Sequence, residues 1–257
     1  MYSRNKRTIL KIDAELRFFL PRQQRNVEIQ ILVPSKRSIK DLIESLGVPH
    51  VEIGALQVNG KPVDLNYPVE GGEYIEVHAP TLPIALEDLS ALYHNRLSEF
   101  KFIADVHLGK LTHLLRLLGF DTLYRNHIDD ERIARVSYQQ KRILLTRDRN
   151  LLKRKCILLG YCLRSTQPEH QLRELWQRYP LKKHAKPFSR CIVCNSPLVA
   201  VKKQQVINRL PPRVAKFQHE FSQCKGCGRV YWKGSHYKKL SGFIHDLFDM
   251  KIPQQEG

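Results

Sequence analysis

Lys101-Phe-Ile-Ala-Asp105 and Arg142-Ile-Leu-Leu-Thr-Arg-Asp148 decide the reading of this chain. Each is a short apolar run that closes on an aspartate, the pattern of a strand buried on both faces with a carboxylate at its carboxyl end. Between them runs a helix-spaced stripe, Leu111, Leu114, Leu115 and Leu118, ended by Gly119. A second strand follows at Phe120-Asp-Thr-Leu-Tyr124, then a helix opened by Asp129-Asp-Glu131 that carries Ile133 and Ala134. Strands alternating with helices imply right-handed crossovers and a parallel sheet. Sites in such sheets collect beyond the carboxyl ends of the strands. Asp105 and Asp148 are expected there, joined by Asp129 or Asp130 from the nearby helix start, where either residue can also serve as the cap. Asp121, at a strand start, reads equally as a turn residue.

Three carboxylates in one cleft repel one another unless a divalent cation neutralises them. Oxygen-only ligands suit magnesium or manganese. Such an ion can activate water and offset the charge that develops on a phosphodiester. Thr146 either supports this site through its hydroxyl or is there as a strand former.

Two further runs, Arg190-Cys-Ile-Val-Cys-Asn-Ser-Pro197 and Gln223-Cys-Lys-Gly-Cys-Gly-Arg229, each hold a Cys-x-x-Cys pair. Cys191 and Cys194 can hold one edge of a tetrahedral zinc, and Cys224 and Cys227 complete it. The gap between the pairs leaves room for a β-hairpin. A structural zinc ribbon over residues 186–240 is expected, dependent on its zinc for folding. Cys156 and Cys162 lie in an apolar, strand-like stretch and read as buried free thiols.

The chain has 257 residues and a net charge of +18. Residues 1–100 hold 12 basic and 13 acidic side chains, residues 101–181 hold 16 and 8, and residues 182–257 hold 15 and 4. The basic charge therefore sits in the last two thirds, where a polyanion would bind. Lys202, Lys203, Lys233, Lys238 and Lys239 offer cations for phosphates, and Trp232 and His236 offer rings beside them. Trp232 reads equally as ribbon core. No signal-peptide stretch follows the basic start, and no run approaches a membrane span. A cytoplasmic protein with no membrane association is expected.

The first third has a different pattern. Ile12 to Leu20 and Asn26 to Val33 read as strands, the second with Val27, Ile29, Ile31 and Val33 on one face. Ser38 caps a helix carrying Ile39, Leu42, Ile43 and Leu46, with Asp41 three residues on. Asn59-Gly60 marks a hairpin, and Gly71-Gly72 a turn before Tyr74-Ile-Glu-Val-His78. A short amphipathic helix of Leu86, Leu89, Leu92, Tyr93 and Leu97 connects to the middle third, and Gln167 to Tyr179 forms a helix after it. The order strand, strand, helix, strand, strand resembles the ubiquitin-like β-grasp, here over residues 10–80. It is expected to bind a protein partner or prop the next domain.

Phe102-Ile-Ala-Asp-Val-His-Leu-Gly-Lys-Leu111, Leu114-Leu-Arg-Leu-Leu-Gly-Phe-Asp-Thr-Leu-Tyr124, Asp129-Asp-Glu-Arg-Ile-Ala134 and Ile143-Leu-Leu-Thr-Arg-Asp-Arg-Asn-Leu151 resemble the PIN-like ribonuclease domain of the Mut-seven C-terminal family. The downstream ribbon, with Tyr231-Trp-Lys-Gly-Ser-His236 after its second pair, resembles the same family. The resemblance implies an α/β chain: a ubiquitin-like β-grasp domain, a PIN-like parallel-sheet domain over residues 100–181, and a C-terminal zinc ribbon. It places the acidic positions on Asp105, Asp130 and Asp148. Two functions are then in play. One is a ribonuclease with catalytic magnesium or manganese and structural zinc. The other is a non-catalytic RNA- or ribosome-associated adaptor, because the Leu108–Leu118 helix lacks the further acid of ordinary PIN domains.

Overall fold

The computed structural model describes residues 7–92 and 97–249. The amino-terminal part is a five-stranded sheet in the order β2-β1-β7-β4-β5. Its strands are β1 (Arg7–Ile12), β2 (Ile29–Leu32), β4 (Ala55–Val58), β5 (Lys61–Pro62) and β7 (Tyr74–His78). β1 and β7 pair in parallel and the other neighbours are antiparallel. The two-residue strands β3 (Arg37–Ser38) and β6 (Pro68–Val69) pair beside it. The helix α1 (Ile39–Ser45) starts as its sequence requires, the Ser38 hydroxyl accepting from the Asp41 N–H at 3.0 Å. Asn59 and Gly60 both take positive φ, 50° and 76°, which the tight β4–β5 turn demands.

Two strand expectations need correction here. Ala14 to Phe19 form a 3₁₀ helix that buries Leu16 and Phe19, so the first strand precedes Asp13 rather than crossing it. Val27 lies outside β2 and is 61% exposed. Only Ile29 and Val33 of the expected face are buried.

The connector helix α2 (Leu86–Leu92) packs Leu86 and Leu89 into the second core. Tyr93 and the Leu92 side chain, expected on the same stripe, lie outside the described positions. The central sheet follows, in the order β11-β10-β8-β9 with every pair parallel. Its strands are β8 (Lys101–Ala104), β9 (Asp121–Tyr124), β10 (Ile143–Thr146) and β11 (Gly160–Cys162). Side chains alternate as a pleat requires. Phe102, Ala104, Ile143, Leu145 and Tyr161 face α3 (Gly109–Leu117) and α6 (Pro168–Arg178), while Ile103, Leu144 and Cys162 join the opposite core with α4 (Asp130–Gln139).

That opposite face explains where the β-grasp sits. A parallel sheet must be covered on both faces. Beside α4 the chain supplies only the single turn α5 (Arg149–Leu152), leaving β11 thinly covered. The β-grasp fills the gap, so its own core is continuous with Leu151, Leu152, Ile157 and Cys162. Gly160 permits the approach: a Cβ there would lie 2.5 Å from Leu152 and 3.3 Å from Val51.

Polar groups fasten the joint. Glu52, 1% exposed, accepts from the Cys162 N–H at 2.7 Å and pairs with Arg178 at 3.1 Å. His50 Nε2 lies 2.8 Å from the Ile157 carbonyl, and Arg149 donates to the Phe19 carbonyl while its guanidinium sits 4.7 Å over the Phe18 ring. Burial pushes Glu52 up, against the pull of Arg178 and the Cys162 N–H. Attraction governs the pair, because an arginine cannot give up its proton and a neutral Glu52 would leave it buried alone. The β-grasp is thus a layer of the central fold and props it, one of the two roles its sequence suggests. Of the two thiols expected to be buried, Cys162 is and Cys156 is exposed.

The carboxy-terminal part is a three-stranded antiparallel sheet, β12 (Leu198–Val201), β13 (Phe221–Cys224) and β14 (Val230–Trp232). The short helices α7 (Lys203–Val206) and α8 (Pro212–Phe217) fill the long gap between cysteine pairs. The helix α9 (Ser235–Asp249) returns to the second core through Ile244 and Leu247. Among the described residues no helix is long and apolar enough to cross a membrane.

Candidate functional site

β8 connects to β9 on one side, and β10 to β11 on the other. The chain therefore leaves these two central neighbours in opposite directions and opens a crevice at their carboxyl ends. Asp105 and Asp148 flank it. Thr146 joins them: its hydroxyl donates to Asp105 Oδ2 at 2.8 Å and accepts from the Asp148 N–H at 2.9 Å. Asp105 also accepts from the Val106 N–H, and Asp148 from the Asn150 N–H at 2.7 Å. Each carboxylate is held by backbone donors and keeps lone pairs for a cation. Thr146 itself is wholly buried, so its hydroxyl serves as a fixed spacer.

The helix start divides its two aspartates. Asp129 is the cap, accepting from the Arg132 N–H at 2.7 Å, and that bond holds its carboxyl below the usual range. Asp130 is exposed and stands 3.8 Å from Arg154. Thr146 thus ties the Asp105 carboxylate to the Asp148 backbone, while Asp130 stands beside Arg154. Among the described residues, the group whose ligand atoms converge closely is the four cysteines, not the three aspartates. Asp105 and Asp148 offer a hard cation two ligand groups, a donor set that suits an ion keeping several waters.

The sulfurs of Cys191, Cys194, Cys224 and Cys227 all lie within 4.8 Å of one another. Cys191 and Cys227 are 3.7 Å apart, and Cys194 and Cys224 3.2 Å. Zn–S bonds of about 2.3 Å set tetrahedral sulfurs roughly 3.8 Å apart, so the four fit a zinc ion. Knuckle amides point at them, with the Cys227 N–H 3.4 Å from Cys224 Sγ. Tyr231 supports the site from behind, its hydroxyl 3.0 Å from Cys191 Sγ. Burial opposes ionisation of Cys194, yet Ser196 and the neighbouring thiols hold it down at about 6. Cys227, despite the Arg229 N–H, is pushed up to about 11 by burial and the facing sulfurs. Four thiolates cannot coexist here without a cation to share.

The first knuckle is latched to β9. Asn195, at φ 72°, accepts from the Thr122 N–H at 3.0 Å and donates to Asp121 at 2.7 Å. Arg142 forks onto Asp121 at 2.8 and 3.1 Å. Arg116, 4% exposed, donates to the carbonyls of Thr122, Ile192 and Val193. Burial alone would raise Asp121, but Arg142 and Asn195 outweigh it and hold the carboxyl below its usual range. Asp121 is therefore a structural anchor rather than a metal contact. Sequence reasoning missed this latch. The only signal was Asn195 directly after a knuckle cysteine, where a left-handed backbone favours asparagine.

Of the expected RNA-binding residues, Lys202, Lys238 and Lys239 are exposed and Lys203 is half-buried. Lys233 is exposed and pairs with Glu220 at 2.6 Å. Trp232 is half-buried. His236 belongs to α9, with its side chain outside the described positions. No curated protein and no solved structure matches the chain. The model of the Mut7-C ubiquitin family matches residues 6–83, and that of the Mut7-C RNAse domain family matches residues 100–244, sheet, knuckles and most of α9 together. On that match the chain belongs to the Mut7-C RNAse domain family, preceded by its ubiquitin-like domain.

Proposed function

We propose that this protein is a ribonuclease that hydrolyses RNA phosphodiesters with magnesium or manganese, and that zinc has only a structural role. The observation that carries this reading is that Asp105 and Asp148 both stand at the crevice of the central sheet, the Thr146 hydroxyl tying the Asp105 carboxylate to the Asp148 backbone N–H, in a chain of an RNase family. An ion held there would activate water and offset charge on the phosphodiester. Asp130 is the third acid of this reading, reached when an incoming phosphate competes for Arg154. Arg147, beside Asp148, is exposed. Residues 10–80 support the sheet, residues 100–181 carry the chemistry, and the ribbon at residues 186–240 orients RNA through Lys202, Lys203, Trp232, Lys233, His236, Lys238 and Lys239. A protein partner would meet the part of the β-grasp left free by its docking, and a cytoplasmic setting suits reduced cysteines.

One observation favours the adaptor reading: Asp130 faces Arg154 instead of the aspartate pair. Manganese titration followed by electron paramagnetic resonance separates the two. The zinc-loaded protein should bind manganese, and Asp105→Asn and Asp148→Asn should each weaken that binding at least tenfold with zinc retained. Equal manganese binding by all three proteins would favour the adaptor.

A further inference from the structure

A cavity of about 600 Å³ opens between the ribbon sheet and α9, within the roughly 300–1,000 Å³ of small-molecule sites. Leu198 and Ala200 of β12, Phe221 of β13, and Tyr231 and Trp232 of β14 line one side. Phe188 and Tyr237 line the other, a tilted pair with ring centroids 4.3 Å apart and planes at 31°. The walls are therefore flat, aromatic and preformed. Its charged lining is already engaged: Arg190 donates to the Gly119 and Asn195 carbonyls, and Lys233 pairs with Glu220. Lys202 directly follows the lining residue Val201, and Lys238 directly follows Tyr237. Residues 182–257 carry 15 basic and 4 acidic side chains. An apolar peptide would use the walls and ignore this charge, and a free anion would use the charge and ignore the walls. An unpaired base with its phosphates uses both.

We infer that this cavity seats one unpaired base of an RNA strand, whose flanking phosphates run over Lys202 and Lys238. The inference rests on the ribbon being the RNA-binding surface and adds to it a specific seat. It accounts for a tryptophan beside a zinc knuckle that is neither buried core nor free surface. The ring stacks on the base, and Tyr231 ties the floor of the seat to Cys191.

The test uses the full-length, zinc-loaded protein without added magnesium or manganese. The probe is a short single-stranded oligoribonucleotide carrying one 2-aminopurine, with an abasic version of the same length as control. Wild type should bind the intact strand with steep salt dependence and quench the 2-aminopurine. Trp232→Ala and Tyr237→Ala should each weaken binding about tenfold, with no quenching and an unchanged salt slope, because stacking and phosphate neutralisation are separate contributions. Trp232→Phe should restore most of the affinity. The abasic strand should bind wild type as weakly as the intact strand binds Trp232→Ala. That arm holds even if a variant misfolds, because it changes only the RNA.

Equal binding of intact and abasic strands would overturn the seat while leaving ribbon binding to phosphates in place. Wild type that binds no RNA would overturn both readings. A change in Trp232 emission that depends on protein concentration without RNA would assign the cavity to self-association and overturn the inference.

Discussion

The β-grasp and the zinc ribbon both hold the central sheet, one by a face and the other by an edge. The β-grasp shares one apolar core with β10 and β11 and buries the Glu52–Arg178 pair in the joint. The ribbon adds polar fastenings at β9, through Asn195, Asp121, Arg142 and Arg116. Apolar burial is worth roughly 25 cal/mol per Å² and scales with area, whereas a hydrogen bond contributes about 0.5–1.5 kcal/mol net. The face contact should therefore govern whether the sheet folds, and the edge contact how firmly β9 is held. Asp105 follows β8, between the two supports, and Asp148 follows β10.

The largest effect should come from the face. Deleting residues 1–80 strips the cover from Leu152, Ile157 and Cys162, and the remainder should be insoluble or molten rather than an active fragment. A milder version is Glu52→Ala, which leaves Arg178 buried without its partner. Urea unfolding should show a loss of about 3–5 kcal/mol. A soluble, cooperatively folded fragment would mean that the sheet does not need the β-grasp as its cover.

Next in size is the metal. Zinc should copurify at one atom per chain, and structural zinc in small ribbons contributes about 10–16 kcal/mol to folding. Chelation, or Cys224→Ser, should unfold the ribbon strands. It should also raise hydrogen exchange at the Thr122 amide, which loses Asn195, while β10 stays protected. Exchange confined to the ribbon would show that the latch is incidental.

The smallest effect concerns the latch alone. Asp121→Asn should cost about 1–3 kcal/mol at neutral pH, by weakening two charge-assisted bonds to Arg142. The Asp121 carboxyl is held below its ordinary value in the folded protein. Its contribution is therefore present above the unfolded pKa and is lost as pH falls through the lower folded value. The stability difference between wild type and Asp121→Asn should be flat between about pH 7 and 5 and shrink below about pH 4. Zinc occupancy would be assayed at each pH. A difference that grows on acidification would contradict the assignment.

Local chemistry was what the sequence displayed best. The Ser38 cap, the Asn59-Gly60 turn, the strand–aspartate ends and the paired cysteines each depend on a few adjacent residues. What stayed hidden depends on residues far apart in the chain. Nothing near Glu52 announces Arg178, and nothing near Asp121 announces Asn195, so the contacts that join the layers were not visible. The run from Ala14 to Phe19 alternates only in part. Its partial alternation suited a strand, yet tertiary packing of Leu16 and Phe19 set it as a 3₁₀ turn. Thr146 lay between: its position was visible, but its hydroxyl bridge appears only once β8 and β10 are neighbours.

The central claim is that Asp105 and Asp148 form an open, hard-cation edge that cleaves RNA while the closed cysteine site only holds structure. Its most direct test is cleavage of end-labelled RNA by zinc-loaded wild type and Asp148→Asn, with and without magnesium or manganese. Wild type should cleave only when the ion is added. Asp148→Asn should lose cleavage by about three orders of magnitude, or roughly 4 kcal/mol of barrier, while keeping one zinc per chain and binding RNA as tightly or more so. Cleavage by Asp148→Asn at the wild-type rate, or by wild type without added ion, would contradict the claim.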